Sequence, residues 1–153
     1  MFLRFAIALV LGALLGLERE LVGKEAAGIR TTMLVTAGAS IFAMIALTLP
    51  YITASTLGAM PDATALNSAF GVIANIVVGI GFLGAGLIIK LNDQPHGVTT
   101  AALIWTAAAI GTLVGIGLTQ FAFAAAVLIA ILLYLLRTLN VRESLEKERK
   151  TGN

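Results

Sequence analysis

Three groups of residues in this chain have types and spacings that could carry chemistry. The first is Gly79-Ile80-Gly81-Phe82-Leu83-Gly84-Ala85-Gly86. It contains GxGxxG, the pattern that cradles a dinucleotide pyrophosphate when it follows a strand and opens a helix. The second is Glu18-Arg19-Glu20 with Arg30-Thr31, whose acids and bases could pair, gate a pathway or meet an ion. The third is Asp93 and His96 followed by Thr99-Thr100, an Asp–His pair for a cation beside two hydroxyls for capping or ligation.

Simpler uses compete with each. The glycine string sits inside an apolar run with no acidic residue about 20 positions on, so the dinucleotide reading is discarded. Within lipid, glycines let helix backbones approach closely. Asn67, Gly71, Asn75 and Gly79 recur at i,i+4 and make a small, polar stripe that must face protein. Close packing is the leading use, and it predicts that Gly81→Leu disrupts assembly. The sharper one is a broken helix whose freed carbonyls line a site. Gly12-x-x-x-Gly16 and Gly111-x-x-x-Gly115 are further small-residue pairs, best suited to packing within the chain.

Glu18 and Arg19 lie directly against apolar residues, and Arg30-Thr31 opens the next apolar run without a spacer. Ionisable groups near membrane depth need partners, so a Glu18–Arg30 pair is expected. Asp93 and His96 read as an ordinary turn and Thr99 or Thr100 as an N-cap. Asp62 reads as a cap or loop residue. Trp105, too deep for an interfacial belt, is expected to pack within the bundle. There is no partnered Ser-His-Asp set, no Glu-x-x-His and no paired intramembrane carboxylates, so no catalytic residue, metal site or cofactor is expected, and no enzyme.

The elements that must position these residues follow from composition. Of 153 residues, 59% are hydrophobic and 12% charged, against about 25% charged in soluble domains. Between Thr31 and Ile89 the only charge is Asp62, and from Gln94 to Leu136 there is no Asp, Glu, Lys or Arg. Such runs hold several stretches of about 20 residues, each long enough to cross a bilayer. A soluble domain and a disordered chain are both excluded. Cysteine is absent, which removes thiol chemistry.

Hydropathy and punctuation give five spans, about 2–17, 31–49 ended by Pro50, 67–89 closed by Lys90, 98–117 and 119–136, with a turn over Leu91–Gly97. The first span is retained rather than cleaved, because no small-residue site precedes a polar region. With the Glu18–Arg30 loop inside, nine cations lie inside and only Arg4 outside, a strong positive-inside bias. The fold expected is an all-α integral membrane bundle of five transmembrane helices over 1–137, N-terminus out and C-terminus in, with a charged tail at 138–153. Glu143–Lys147 and Glu146–Lys150 support a helical tail. Five of the ten cations lie at Arg137 or later, which suits a membrane-flanking end rather than nucleic acid.

Four strings in this order resemble the membrane domain of the MgtC/SapB family. They are Gly16-Leu17-Glu18-Arg19-Glu20; Ala27-Gly28-Ile29-Arg30-Thr31 with Met33-Leu34-Val35; Gly79 through Gly86; and Gly97-Val98-Thr99-Thr100-Ala101-Ala102 with Trp105. The resemblance implies a bacterial inner-membrane protein tied to growth under magnesium limitation. It also implies a family whose virulence-associated members restrain the proton-translocating ATP synthase. Two positions depart from the pattern: Gly71 stands where the family commonly has Arg, and Thr32 where it often has His or another polar residue. The chain is similar to the short, SapB-like branch that lacks a C-terminal ACT-like domain.

The function expected is regulation of other membrane proteins through helix contacts, with the lipid bilayer as surroundings and a homo-oligomer, a dimer, as a separate expectation. A cytoplasmic-face polar cluster would comprise Glu18, Arg19, Glu20, Arg30, Thr31, Thr99 and Thr100. A packing or pore face would comprise Asn75, Gly79, Gly81, Gly84, Gly86 and Trp105. The alternative is a small oligomeric cation transporter or channel around the third span, gated by Glu18 and Arg30.

Overall fold

A computed structural model of the chain describes residues 1–22, 27–91 and 94–151, with the side chains of 18, 21–22, 65–66, 91 and 140–151 outside the description. Five helices carry the fold: α1 (Phe2–Val22), α2 (Ile29–Thr56), α3 (Ala63–Leu87), α4 (Val98–Ile116) and α5 (Thr119–Thr151). Four of them are long and apolar enough to cross a membrane, while the apolar stretch of α1, Phe2–Leu17, is shorter. The protein is therefore a membrane protein on the length and composition of its helices. Carried on through Val22, α1 is about 32 Å long, not the roughly 24 Å of its apolar part. That added turn brings Arg19 into the helix.

The central element is α2, which packs on α1, α4 and α3, while α5 lies against α1 and α4. Small residues make this possible. A Cβ on Gly12 would come within 2.7 Å of Met33 Cα and of the Thr32 carbonyl oxygen. A Cβ on Gly16 would come within 2.7 Å of Ile29 Cα. Further along the same face of α2, a Cβ on Gly111 would land on the Thr36 carbonyl oxygen, and one on Gly115 would lie 2.6 Å from Ser40 O. Both glycine pairs thus pack within the chain, as their sequence suggested, and both pack on the same helix. Beside them Ala8, Leu11 and Leu15 of α1, Leu103, Ala107, Ile110 and Val114 of α4, and Ala122 and Ala126 of α5 form a closed apolar core.

Two residues expected to end helices do not. Pro50 does not end α2, which continues to Thr56. Proline removes one N–H and crowds the carbonyl four residues back. Beyond it the chain still closes helical bonds, and the Ser55 and Thr56 hydroxyls donate to Ile52 O at 2.8 and 2.9 Å. In apolar surroundings an open backbone costs more than the one bond that proline removes. Conversely, α3 stops at Leu87, so Lys90 does not close that helix.

Lys90 instead lies in a two-stranded antiparallel hairpin, β1 (Ile89–Leu91) and β2 (Gln94–His96), with Lys90 opposite Pro95. This hairpin is an addition to the all-helical expectation. Gly97 then turns the chain into α4 at φ 81, and a Cβ there would collide with the Leu87 carbonyl oxygen. Only glycine meets both demands. The backbone of α5 runs helical through Thr151. The tail pairs Glu143–Lys147 and Glu146–Lys150 lie outside the described side chains.

Candidate functional site

The chain alternates direction from helix to helix, so one end of the bundle gathers the C-terminal end of α1, the N-terminal end of α2, the hairpin and the N-terminal end of α4. The expected polar cluster falls at this end, but its members divide. Glu20 reaches across the loop and accepts the Ile29 N–H at 3.3 Å. Ile29 is the first residue of α2, whose N-cap Gly28 has no side chain to do this. The carboxylate therefore meets an orphan donor at the positive end of the helix dipole. Gly28 is small for the same reason, since a Cβ there would fall on Glu20 Oε2.

Arg19 is buried at 8% exposure, whereas Arg30 is exposed and Thr31 half-buried. The expected Glu18–Arg30 pair involves the Glu18 side chain, which lies outside the described residues, as do Lys24, Glu25 and Asp93. At the α4 end, Thr100 is buried and Thr99 exposed. Neither is the N-cap, because that position belongs to Gly97. His96 is exposed on β2. Among the described residues no three of His, Asp and Glu gather as a metal site would require.

Thr32, Thr36 and Ser40, at i,i+4 on the buried face of α2, form a hydroxyl column that sequence reasoning missed. Its signal was present as three hydroxyls on one helical stripe. Thr32 Oγ1 donates to Ile29 O at 3.0 Å and Gly28 O at 3.2 Å, and Thr36 Oγ1 donates to Thr32 O at 2.7 Å. Hydroxyls folded back in this way present little polarity sideways, which is what the glycine faces of α1 and α4 meet. The exception is Ser40, whose fully buried Oγ has no hydrogen-bond partner among the described residues. A buried unsatisfied hydroxyl is unfavourable. Ser40→Ala is therefore expected to raise the stability of the protein by about 1 kcal/mol, read as a higher midpoint in thermal unfolding followed by circular dichroism. A lower midpoint would show that Ser40 holds a bond essential to the α2–α4 contact.

The second candidate region is α3. The helix is continuous over Ala63–Leu87, so the expected alternative of a broken helix with freed carbonyls is not what the chain adopts. Asn75 is exposed, as are Gly79, Gly81 and Gly86. Of these glycines none would bring a Cβ within 4 Å of another group, whereas Gly84 is buried with Ala101 Cβ at 3.7 Å. Gly84 is the packing glycine of the run. Gly81 is not, and Gly81→Leu loses its rationale as an assembly-breaking change within the chain.

Between α2 and α3 lies a recess of about 460 Å³, floored by Gly38, Ala39 and Gly79 and walled by Leu34, Phe42 and Ile80. Asn75 is the sole polar side chain of its lining. Val72 separates it from a second recess of about 590 Å³ toward Pro50, Pro61 and Asp62. Trp105 does not enter the interior as expected. It sits 51% exposed in the α3–α4 seam, in a narrow cleft with Val77, Ile80 and Thr112. Its neighbour Ile104 takes the buried position, and one residue further is about 100° around the helix.

The model of the MgtC family matches residues 5–142. Protein MgtC of Salmonella typhimurium is 38% identical over 135 residues, which cover 88% of this chain and 52% of that protein. Protein SrpB of Synechococcus elongatus is 36% identical, with 76% of this chain and 64% of that protein covered. Protein SapB of Bacillus subtilis is 35% identical, with 84% and 53% covered. The chain thus spans about half the length of Protein MgtC and Protein SapB. No solved structure matches.

Proposed function

From the premise that the chain belongs to the MgtC family, we propose that it is a non-enzymatic protein of the bacterial inner membrane that regulates other membrane proteins by contact. In this reading all five helices cross the bilayer, with the N-terminus outside and the C-terminus inside. The nine-to-one distribution of cations supports that orientation. The physiological setting is adaptation to magnesium limitation, and the proton-translocating ATP synthase is one candidate for the regulated protein.

The observation that carries the proposal is the closed interior. Two glycine pairs press α1 and α4 onto α2 at backbone contact, and the Thr32 and Thr36 hydroxyls in that contact are bonded to their own helix. A conduction path needs polar ligands or freed carbonyls facing a cavity, and α3 keeps its carbonyls within an unbroken helix. Action is then left to the outer surfaces and to the polar end, where Arg30, His96 and Thr99 are exposed.

Photo-crosslinking groups at positions 30 and 99, used in native membranes, are expected to capture a defined membrane protein other than this chain. Capture of the chain by itself alone would count against regulation by contact. In parallel, sealed proteoliposomes loaded with a Mg²⁺ dye are expected to leak no faster than empty ones. A saturable flux abolished by Glu18→Gln would overturn the reading in favour of a transporter.

A further inference from the structure

We propose that the exposed face of α3 is the contact with a second copy of this chain, built around Asn75 and its flanking glycines. The proposal rests on the membrane reading above, but not on the regulatory one. Asn75 is the middle residue of α3, twelve from either end, which places it about 18 Å from each terminus. Its side chain is exposed and, among the described residues, forms no hydrogen bond. At mid-depth in hydrocarbon a carboxamide has no water to turn to, and leaving its donors and acceptor unmet is costly. A lipid tail cannot meet that demand; a polar group on a neighbouring helix can.

The glycines supply an independent argument. Gly12, Gly16, Gly111 and Gly115 all lie at backbone contact with a neighbouring helix, whereas Gly71 and Gly79, one turn to each side of Asn75, face nothing within 4 Å. At Gly71 and Gly79 the close approach that glycine permits is unused within one copy. Phe82, on the same helical face, is 86% exposed beside that glycine surface.

The occupant that fits is a second copy because the face is complementary to itself. Copies inserted in one orientation and related by a two-fold axis along the membrane normal bring each residue of α3 to its own depth on the partner. Asn75 then meets the partner's Asn75, and a carboxamide both donates and accepts, so the two satisfy each other. Phe82 lies at the depth of its own copy on the partner, with Gly79 and Gly86 one turn to either side leaving room for the rings. A stripe repeating every four residues inclines to the helix axis, which sets two such helices at the right-handed crossing of about −40° found in small-residue pairs.

The chain has no cysteine, so single substitutions report cleanly. In liposomes containing only this protein, Gly79→Cys and Phe82→Cys are expected to form disulfide-linked dimers on mild oxidation, and Leu128→Cys on the outward side of α5 is not. Asn75→Leu should weaken dimerisation about tenfold, and Asn75→Gln should restore most of it, with thermal unfolding of the monomer unchanged. Equal crosslinking at position 128, or monomers alone by single-molecule photobleaching, would overturn the proposal. So would crosslinking at position 79 that appears only in native membranes and joins a different polypeptide. Capture at positions 30 and 99 is read separately, so the dimer and the regulatory reading can fail independently.

Discussion

Gly111→Ala should remove most of the folded protein, although alanine is the better helix former. In an isolated helix that exchange favours folding by about 1 kcal/mol. Here the added Cβ would land on the Thr36 carbonyl oxygen and lie 2.8 Å from Thr36 C and 3.0 Å from Thr36 Cα. All three are backbone atoms, so no side chain can rotate away. Gly12 and Gly16 bring α1 to backbone contact with the same stripe of α2 through Met33 and Ile29, so the added volume meets an interface that is already closed beside it. The helices must separate along their length, and a destabilisation of about 3 kcal/mol is expected, at the upper end for overpacking. Gly115→Ala should behave similarly, since its Cβ would lie 2.6 Å from both Ser40 O and Ala43 Cβ.

Gly81→Ala is the control with the opposite sign. Nothing lies within 4 Å of the position, so helix propensity decides and stability should rise by up to about 1 kcal/mol. Thermal unfolding in detergent, with the monodisperse fraction by size exclusion, reads both. If Gly111→Ala proved as stable as the parent, the backbone contact between α4 and α2 would be wrong.

This contrast shows what could be read from the chain and what could not. Apolar length located the helices, and Gly12-x-x-x-Gly16 and Gly111-x-x-x-Gly115 announced close packing. The partner of each pair was not legible, because sequence spacing gives a face and not what lies opposite. For that reason the glycine run at 79–86 gave no sign that within one copy only Gly84 packs. Pro50 misled because a local rule for helix ends was weighed without the surroundings that keep the backbone bonded. Glu20 was expected at the polar end of the bundle, but the backbone N–H it meets there could not be read from residue types. The hydroxyl column of Thr32, Thr36 and Ser40 was visible as a four-residue repeat, yet its importance comes from the glycines that close on it.

Arg4 is the residue whose role was least legible, and it carries the second large expectation. In the orientation proposed above it is the lone Lys or Arg on the outer side, and it stands at the start of α1, where the helix dipole disfavours a positive charge. Its partner is 111 positions away: Arg4 Nη1 donates to Gly115 O at 3.0 Å. The end of α4 explains the need. Gly117, at φ 100, turns the chain, and its N–H donates to Val114 O at 3.1 Å while Leu118 N–H donates to Leu113 O at 2.9 Å. Those two bonds close the helix in the manner of a Schellman end and leave the Gly115 carbonyl without a donor from its own turn. The guanidinium fills that place and brings positive charge to the negative end of α4. It also lies so close to Gly117 that a Cβ there would be 3.0 Å from Nη2.

A hydrogen bond to a charged group contributes about 1.5–3 kcal/mol, and solvent at this exposed side chain reduces it. Arg4→Met is therefore expected to destabilise the protein by about 1.5 kcal/mol, with faster hydrogen exchange at the N–H groups of Gly117 and Leu118. Arg4→Lys should recover part of the loss, because the charge is kept and the planar fork is not. If Arg4→Met changed neither the melting midpoint nor exchange at that turn, the cation would be serving the membrane surface rather than the helix end. The topology would then still need a reason for the one cation on its sparsely charged side.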